Sequence, residues 1–87
     1  MKIFRVYYSR RFKKSLQAHR SAKEIIKDKI ELFIKDPFNP QLKTHKLTGK
    51  LAGFWSFSVS FHLRVLFEFI DSETAGFVDI GTHEIYH

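Results

Sequence analysis

With 87 residues the chain has room for one domain spanning 1–87, because dividing it would leave neither part a worthwhile core. Leu, Ile, Val and Phe supply 29 of those residues, which excludes a disordered chain, and the absence of cysteine excludes both a disulfide framework and a thiolate zinc site. Lys and Arg number 15 against 9 Asp and Glu, so the net charge of +6 puts polyanions first among partners: nucleic acid, an anionic membrane surface or an acidic protein.

The amino terminus, MKIFRVYYSRRFKK, interrupts its apolar residues with Lys2, Arg5 and Arg10 and lacks the unbroken apolar centre of a signal peptide. No run elsewhere approaches the ~20 apolar residues of a membrane helix, so the expected protein is soluble, cytoplasmic and free of membrane contact. Lys2–Tyr8 is rich in β-branched and aromatic residues and ends at Ser9, which predicts a strand. From Arg10 to Arg20 the large apolar residues thin to Phe12 and Leu16, at i and i+4, predicting a basic helix with a narrow apolar stripe. Ser21 stands three residues before Glu24, the capping-box arrangement, and Ile26, Ile30, Phe33 and Ile34 then keep helical spacing until Pro37 forbids continuation.

Pro37, Asn39 and Pro40 mark a loop, after which the period changes to two. Trp55, Phe57 and Val59 alternate with serines, Leu63, Val65, Phe67 and Phe69 alternate with Arg64 and Glu68, and a turn near Phe61 joins the two runs. A polar stretch, Asp71–Gly76, leads to a last strand with Val78 and Ile80 on one face and Asp79 and His83 on the other. The expected fold is α+β: one strand, two helices, then an antiparallel sheet of three or four strands with the helices on one face. Ile30, Phe33, Ile34, Val65, Phe67 and Ile80 are expected to share the core. Arg64, Asp79 and His83 then fall on the uncovered face, while Phe54 and Phe61 are out of register and expected to be exposed.

His45, set among Lys43, Lys46 and Lys50, together with Arg64 and His83, supplies what RNA cleavage requires without a metal or other cofactor. The 2′-hydroxyl must lose a proton, the leaving 5′-oxygen must gain one, and charge growing on the phosphate must be stabilised. Histidine, with a reference pKa of ~6.5, serves either proton step at neutral pH, and arginine offers a planar fork for two phosphate oxygens. The bland reading is that five histidines are scattered over a sheet surface: His19 on a basic helix, His62 at a turn, His87 at the terminus. Lys13 and Lys14, ordinarily a solvated helix face, extend a phosphate-tracking surface if nucleic acid is the partner. His83-Glu84 lacks the i,i+4 partner of a helical zinc motif, and no acidic cluster is present, so no metal site is expected.

The element order, the phrase HKLTGKLAGFWSF, the strand HLRVLFEF and the closing DIGTHEIYH resemble the RelE/ParE superfamily of bacterial toxins, nearest its YafQ and YoeB branches. The likeness covers nearly the whole chain, and its specific part is Lys43–His83. It implies a small basic mRNA interferase that enters the ribosome and cuts mRNA, a cognate antitoxin, and contact with operator DNA only through the antitoxin complex; the net charge of +6 and an uncovered sheet face to be masked add the expectation that the antitoxin's binding segment is acidic and amphipathic. His45 stands where YafQ-like toxins carry a histidine and YoeB-like toxins a glutamate base. Arg64 matches the arginine on the scissile phosphate, His83 the carboxy-terminal histidine, and Tyr86 the tyrosine near the end of many members, at a spacing that differs from the adjacent His-Tyr of YoeB.

Two departures stand out. Asp79 replaces an arginine of YafQ-like sequences, leaving phosphate to Arg64 with help from Lys46 or Lys50 and freeing Asp79 to orient His83 or Arg64. His62 and Leu63 replace an acidic-tryptophan pair. His45 is the candidate base and His83 the acid, with the exchanged roles open. The alternatives from other classes are a ParE-like toxin that binds DNA gyrase without cleaving anything and an inactive relative that only binds its antitoxin.

Overall fold

In the computed structural model, which describes residues 1–86, the first apolar run becomes β1 (Arg5–Tyr8) and turns at Ser9 into α1 (Arg10–Ala18). His87, expected at a frayed end, lies outside the described residues. The Ser9 side chain explains the abruptness of this turn. Its hydroxyl accepts from the Phe12 amide at 2.9 Å, capping α1, and donates to the Val78 carbonyl at 2.7 Å, tying the helix start to the last strand.

The second helix, α2 (Lys23–Lys35), starts without the expected capping box. Residues 20–22 form a 3₁₀ turn in which the Ala22 and Lys23 amides bond to the carbonyls of His19 and Arg20, so the N-cap position falls on Ala22 and Ser21 lies within the turn before the helix. His19, expected to be solvated, is half-buried at the end of α1.

The remaining strands are β2 (His45–Lys46), β3 (Trp55–Ser58), β4 (Arg64–Asp71) and β5 (Thr74–Gly81), and the five form one sheet in the order β1-β5-β4-β3-β2. All neighbours are antiparallel except β1 and β5, which run parallel because the two helices carry the chain across between them. Both helices lie on one face, where Phe12 of α1 and Phe33 of α2 meet Phe57, Phe67 and Phe77 of the sheet. Phe33, Val65, Phe67 and Ile80 are buried as expected, while Ile30 and Ile34 are only half-buried because they line a groove between the helices. Phe61 is 87% exposed at the β3–β4 turn, whereas Phe54 is half-buried.

One correction concerns the face of β5. Leu66 pairs with Asp79 and Phe67 with Phe77, so Val78 is an extra residue, a β-bulge. Phe77 therefore takes the core position expected of Val78, which is half-buried. Asp79 is 5% exposed, and its carboxylate is taken up by α1: it accepts from Ser15 Oγ at 2.5 Å and from Arg11 Nε at 2.8 Å, and also from the Ile80 amide at 2.9 Å. It is not free to orient His83 or Arg64. Asp79→Ala leaves the buried Ile80 amide and the part-buried Ser15 hydroxyl without this acceptor, and is expected to cost about 1–3 kcal/mol by urea unfolding; a loss below about 0.5 kcal/mol contradicts this account.

Candidate active site

Across β3 and β4 the core face carries Phe57, Val65 and Phe67, so alternation sends Ser56, Ser58, Arg64 and Leu66 to the face that the helices leave uncovered. On β2 the register pairs His45 with Ser56 and Lys46 with Trp55. His45 thus stands beside Ser56 on the uncovered face, at the ~5 Å typical of cross-strand neighbours. Lys46, one residue on, points to the opposite side, where its ammonium lies 5.6 Å from the centre of the Trp55 ring.

The chain end returns to the same face. After β5, residues 83–86 form a 3₁₀ turn, and Tyr86 places its hydroxyl 2.6 Å from Ser56 Oγ, a fully buried side chain. Gly81 makes this possible: a Cβ there would sit 2.5 Å from Ile85 Cγ2, so any larger residue would push the turn off the sheet. His83 is exposed within the turn, its ring centre 6.0 Å from that of Tyr86. Arg64 pairs with Gly81 on one side and Ser58 on the other, and its guanidinium donates to Ser58 Oγ at 3.1 Å. Among the described residues the only ion pair joins Arg11 to Asp79, so Arg64 has no carboxylate partner there and its remaining donors are open to an anion.

His45, Arg64, His83 and Tyr86, singled out by sequence, are therefore brought to one sheet face around Ser56. The basic residues are more dispersed. Lys43 and Lys50 are exposed in the loops flanking β2, whereas Lys13 lines the groove between α1 and α2, in the layer across the sheet from Arg64. Lys14 is exposed on α1. In the sequence Ser56 and Ser58 are only the polar half of a strand; their hydroxyl partners, Tyr86 and Arg64, are cross-strand or distant in sequence and leave no local signal. His45 Nδ1 lies 2.9 Å from the Lys43 carbonyl oxygen. Among the described residues no group of three or more His, Cys, Asp or Glu is placed to hold a metal ion, and no helix is long and apolar enough to cross a membrane.

Two helices on one face of a mostly antiparallel five-stranded sheet is the fold of the RelE-like toxins. Among solved structures, it is similar to YafQ from E. coli (TM-score 0.79, 19% identity, covering 93% of this chain and 94% of that one), which also appears in the E. coli DinJ–YafQ toxin–antitoxin complex (0.77, 18%, 98% and 97%). It is likewise similar to a YoeB/ParE toxin from Agrobacterium tumefaciens (0.75, 18%, 92% and 99%) and to a metal-bound toxin from Helicobacter pylori (0.72, 24%, covering 100% of both chains). No protein-family model and no curated protein sequence matches the chain.

Proposed function

We infer that the chain is the toxin of a toxin–antitoxin pair and an endoribonuclease that cuts mRNA on the ribosome, in the cytoplasm. The observation that carries this reading is the convergence of His45, Arg64 and the 83–86 turn on one uncovered sheet face. His45 takes the proton of the 2′-hydroxyl, whose oxygen attacks the neighbouring phosphorus. Arg64 holds the phosphate oxygens as charge grows on them, and His83 protonates the departing 5′-oxygen. The products are a 2′,3′-cyclic phosphate and a 5′-hydroxyl. Tyr86, beside His83 and bonded to Ser56, holds the turn against the sheet. Two proton carriers and a guanidinium complete this chemistry, so it needs no metal.

The antitoxin segment is acidic and amphipathic. The groove between α1 and α2 suits it, with Phe12, Leu16 and Ile26 on an apolar floor and Lys13, Arg20 and Lys27 at its rim. Rising salt should weaken the association if charge steers it.

The experiment maps mRNA ends by primer extension after brief expression and measures single-turnover cleavage in EDTA. Cuts at regular codon positions are expected. Arg64→Ala should weaken both RNA binding and cleavage, because its charge meets phosphate in the ground state as well as the transition state. Growth arrest without new mRNA ends would instead select a gyrase-binding toxin.

A further inference from the structure

Lys43 is the one non-glycine residue with a positive φ among the described residues, at φ 51° and ψ 39°. A lysine gains nothing from the left-handed region, which crowds its Cβ, so the surroundings must impose it. They do so at both ends. Leu42 and Pro37 are fully buried. The Asn39 side chain accepts from the Gln41 amide at 2.9 Å, and the Leu42 and Lys43 amides return to the carbonyls of Asn39 and Pro40, closing a 3₁₀ turn. On the far side the Thr44 hydroxyl donates to the Pro37 carbonyl. The chain enters β2 from this clamp with the Lys43 carbonyl directed at His45 Nδ1, 2.9 Å away.

A carbonyl oxygen can only accept, so in the neutral ring Nδ1 carries the proton and Nε2 the free lone pair. We propose that Lys43 is a positioning residue acting through its main chain: its left-handed conformation holds His45 in the Nδ1–H tautomer and so makes His45, rather than His83, the proton acceptor. The free imidazole side chain prefers the opposite tautomer, with the proton on Nε2, which could not take a proton there. The catalytic half of this inference rests on the nuclease reading; the tautomer half does not.

Two variants that both remove the lysine charge separate the backbone from the side chain. Glycine adopts φ 51° without strain, whereas β-branched valine resists it. Two-bond ¹⁵N–¹H correlation spectra of the full chain at alkaline pH, with the His45 signals assigned from their loss in His45→Gln, read the tautomer directly. The expected result is an Nδ1–H ring in the native protein and in Lys43→Gly, and a shift toward Nε2–H in Lys43→Val. Single-turnover cleavage should be about tenfold slower in Lys43→Val than in Lys43→Gly, the scale of one neutral hydrogen bond, with RNA affinity equal in the two. A native His45 already in the Nε2–H form overturns the proposal without recourse to any variant, and so does an identical tautomer in folded Lys43→Gly and Lys43→Val. If the native chain shows the Nδ1–H ring but cuts no RNA, the tautomer assignment is supported and the nuclease reading alone fails.

Discussion

Replacing His83 with alanine is expected to slow single-turnover RNA cleavage by about 10²-fold or more while leaving RNA and ribosome binding nearly unchanged. A proton donor acts on the leaving oxygen only as the P–O bond breaks, so its loss falls on the transition state and not on the ground-state complex. His83 is well placed for such a role. It is exposed on the 83–86 turn, and that turn is held to the sheet by the Tyr86–Ser56 hydroxyl pair, not by His83 itself. The substitution should therefore leave the fold intact. His45→Ala should lose activity on a similar scale, from the opposite end of the reaction. The two losses should not add in the double variant, because neither proton transfer is of use without the other. Growth arrest and cleavage in EDTA, measured beside a binding assay, check this. Full activity in both single variants would sink the assignment and bring forward gyrase binding or antitoxin binding alone.

The largest effect on stability is expected from Phe33→Ala. Phe33 has no exposed surface; its ring stacks on Phe57 at 4.7 Å and meets Phe67 and Phe77 edge-on at 4.9 and 5.3 Å. It is the main contact through which α2 holds the sheet, and truncation leaves a cavity that rigid aromatic neighbours cannot fill. A cost of about 3–5 kcal/mol is expected, equivalent to a fall in melting temperature of roughly 15–30 °C for a domain of this size. Since small domains are stable by only ~5–15 kcal/mol, the variant should be partly unfolded at growth temperature. Urea and thermal unfolding followed by circular dichroism measure it. Phe61→Ala serves as the contrast, because that ring is 87% exposed and should change stability by less than about 0.5 kcal/mol. Comparable losses in the two variants would show that the core has been misplaced.

Periodicity alone carried most of the architecture. The 3.6-residue spacing of Ile26, Ile30, Phe33 and Ile34 and the two-residue alternation from Trp55 onward are consequences of local backbone geometry, so they can be read without knowing what packs against them. The same alternation placed Arg64 on the uncovered face, whereas His45, which the sequence shows only as preceding the hairpin, reaches that face through the register of β2 on β3. It failed at β5, where the Val78 bulge advances the side-chain parity by one residue, puts Phe77 in the core and leaves Asp79 to α1. A bulge is decided by which register best buries both strands together, and no single strand encodes that.

The capping box at Ser21 failed for a related reason. A motif of four residues competes with the backbone bonds of the turn before it, and here the turn won. Composition and spacing by themselves determined a basic, cysteine-free α+β chain and made His45, Arg64 and His83 candidates for work on a phosphodiester, to which only the family resemblance added Tyr86. Only the tertiary structure decided that Lys46 turns away onto Trp55, that Ser56 receives the Tyr86 hydroxyl, and that the Lys43 carbonyl meets the His45 ring. Each depends on strand pairing, on a turn clamped from both ends, or on a chain terminus folding back over a glycine. Such contacts join residues by the geometry of the whole fold, so no local pattern in the chain announces them.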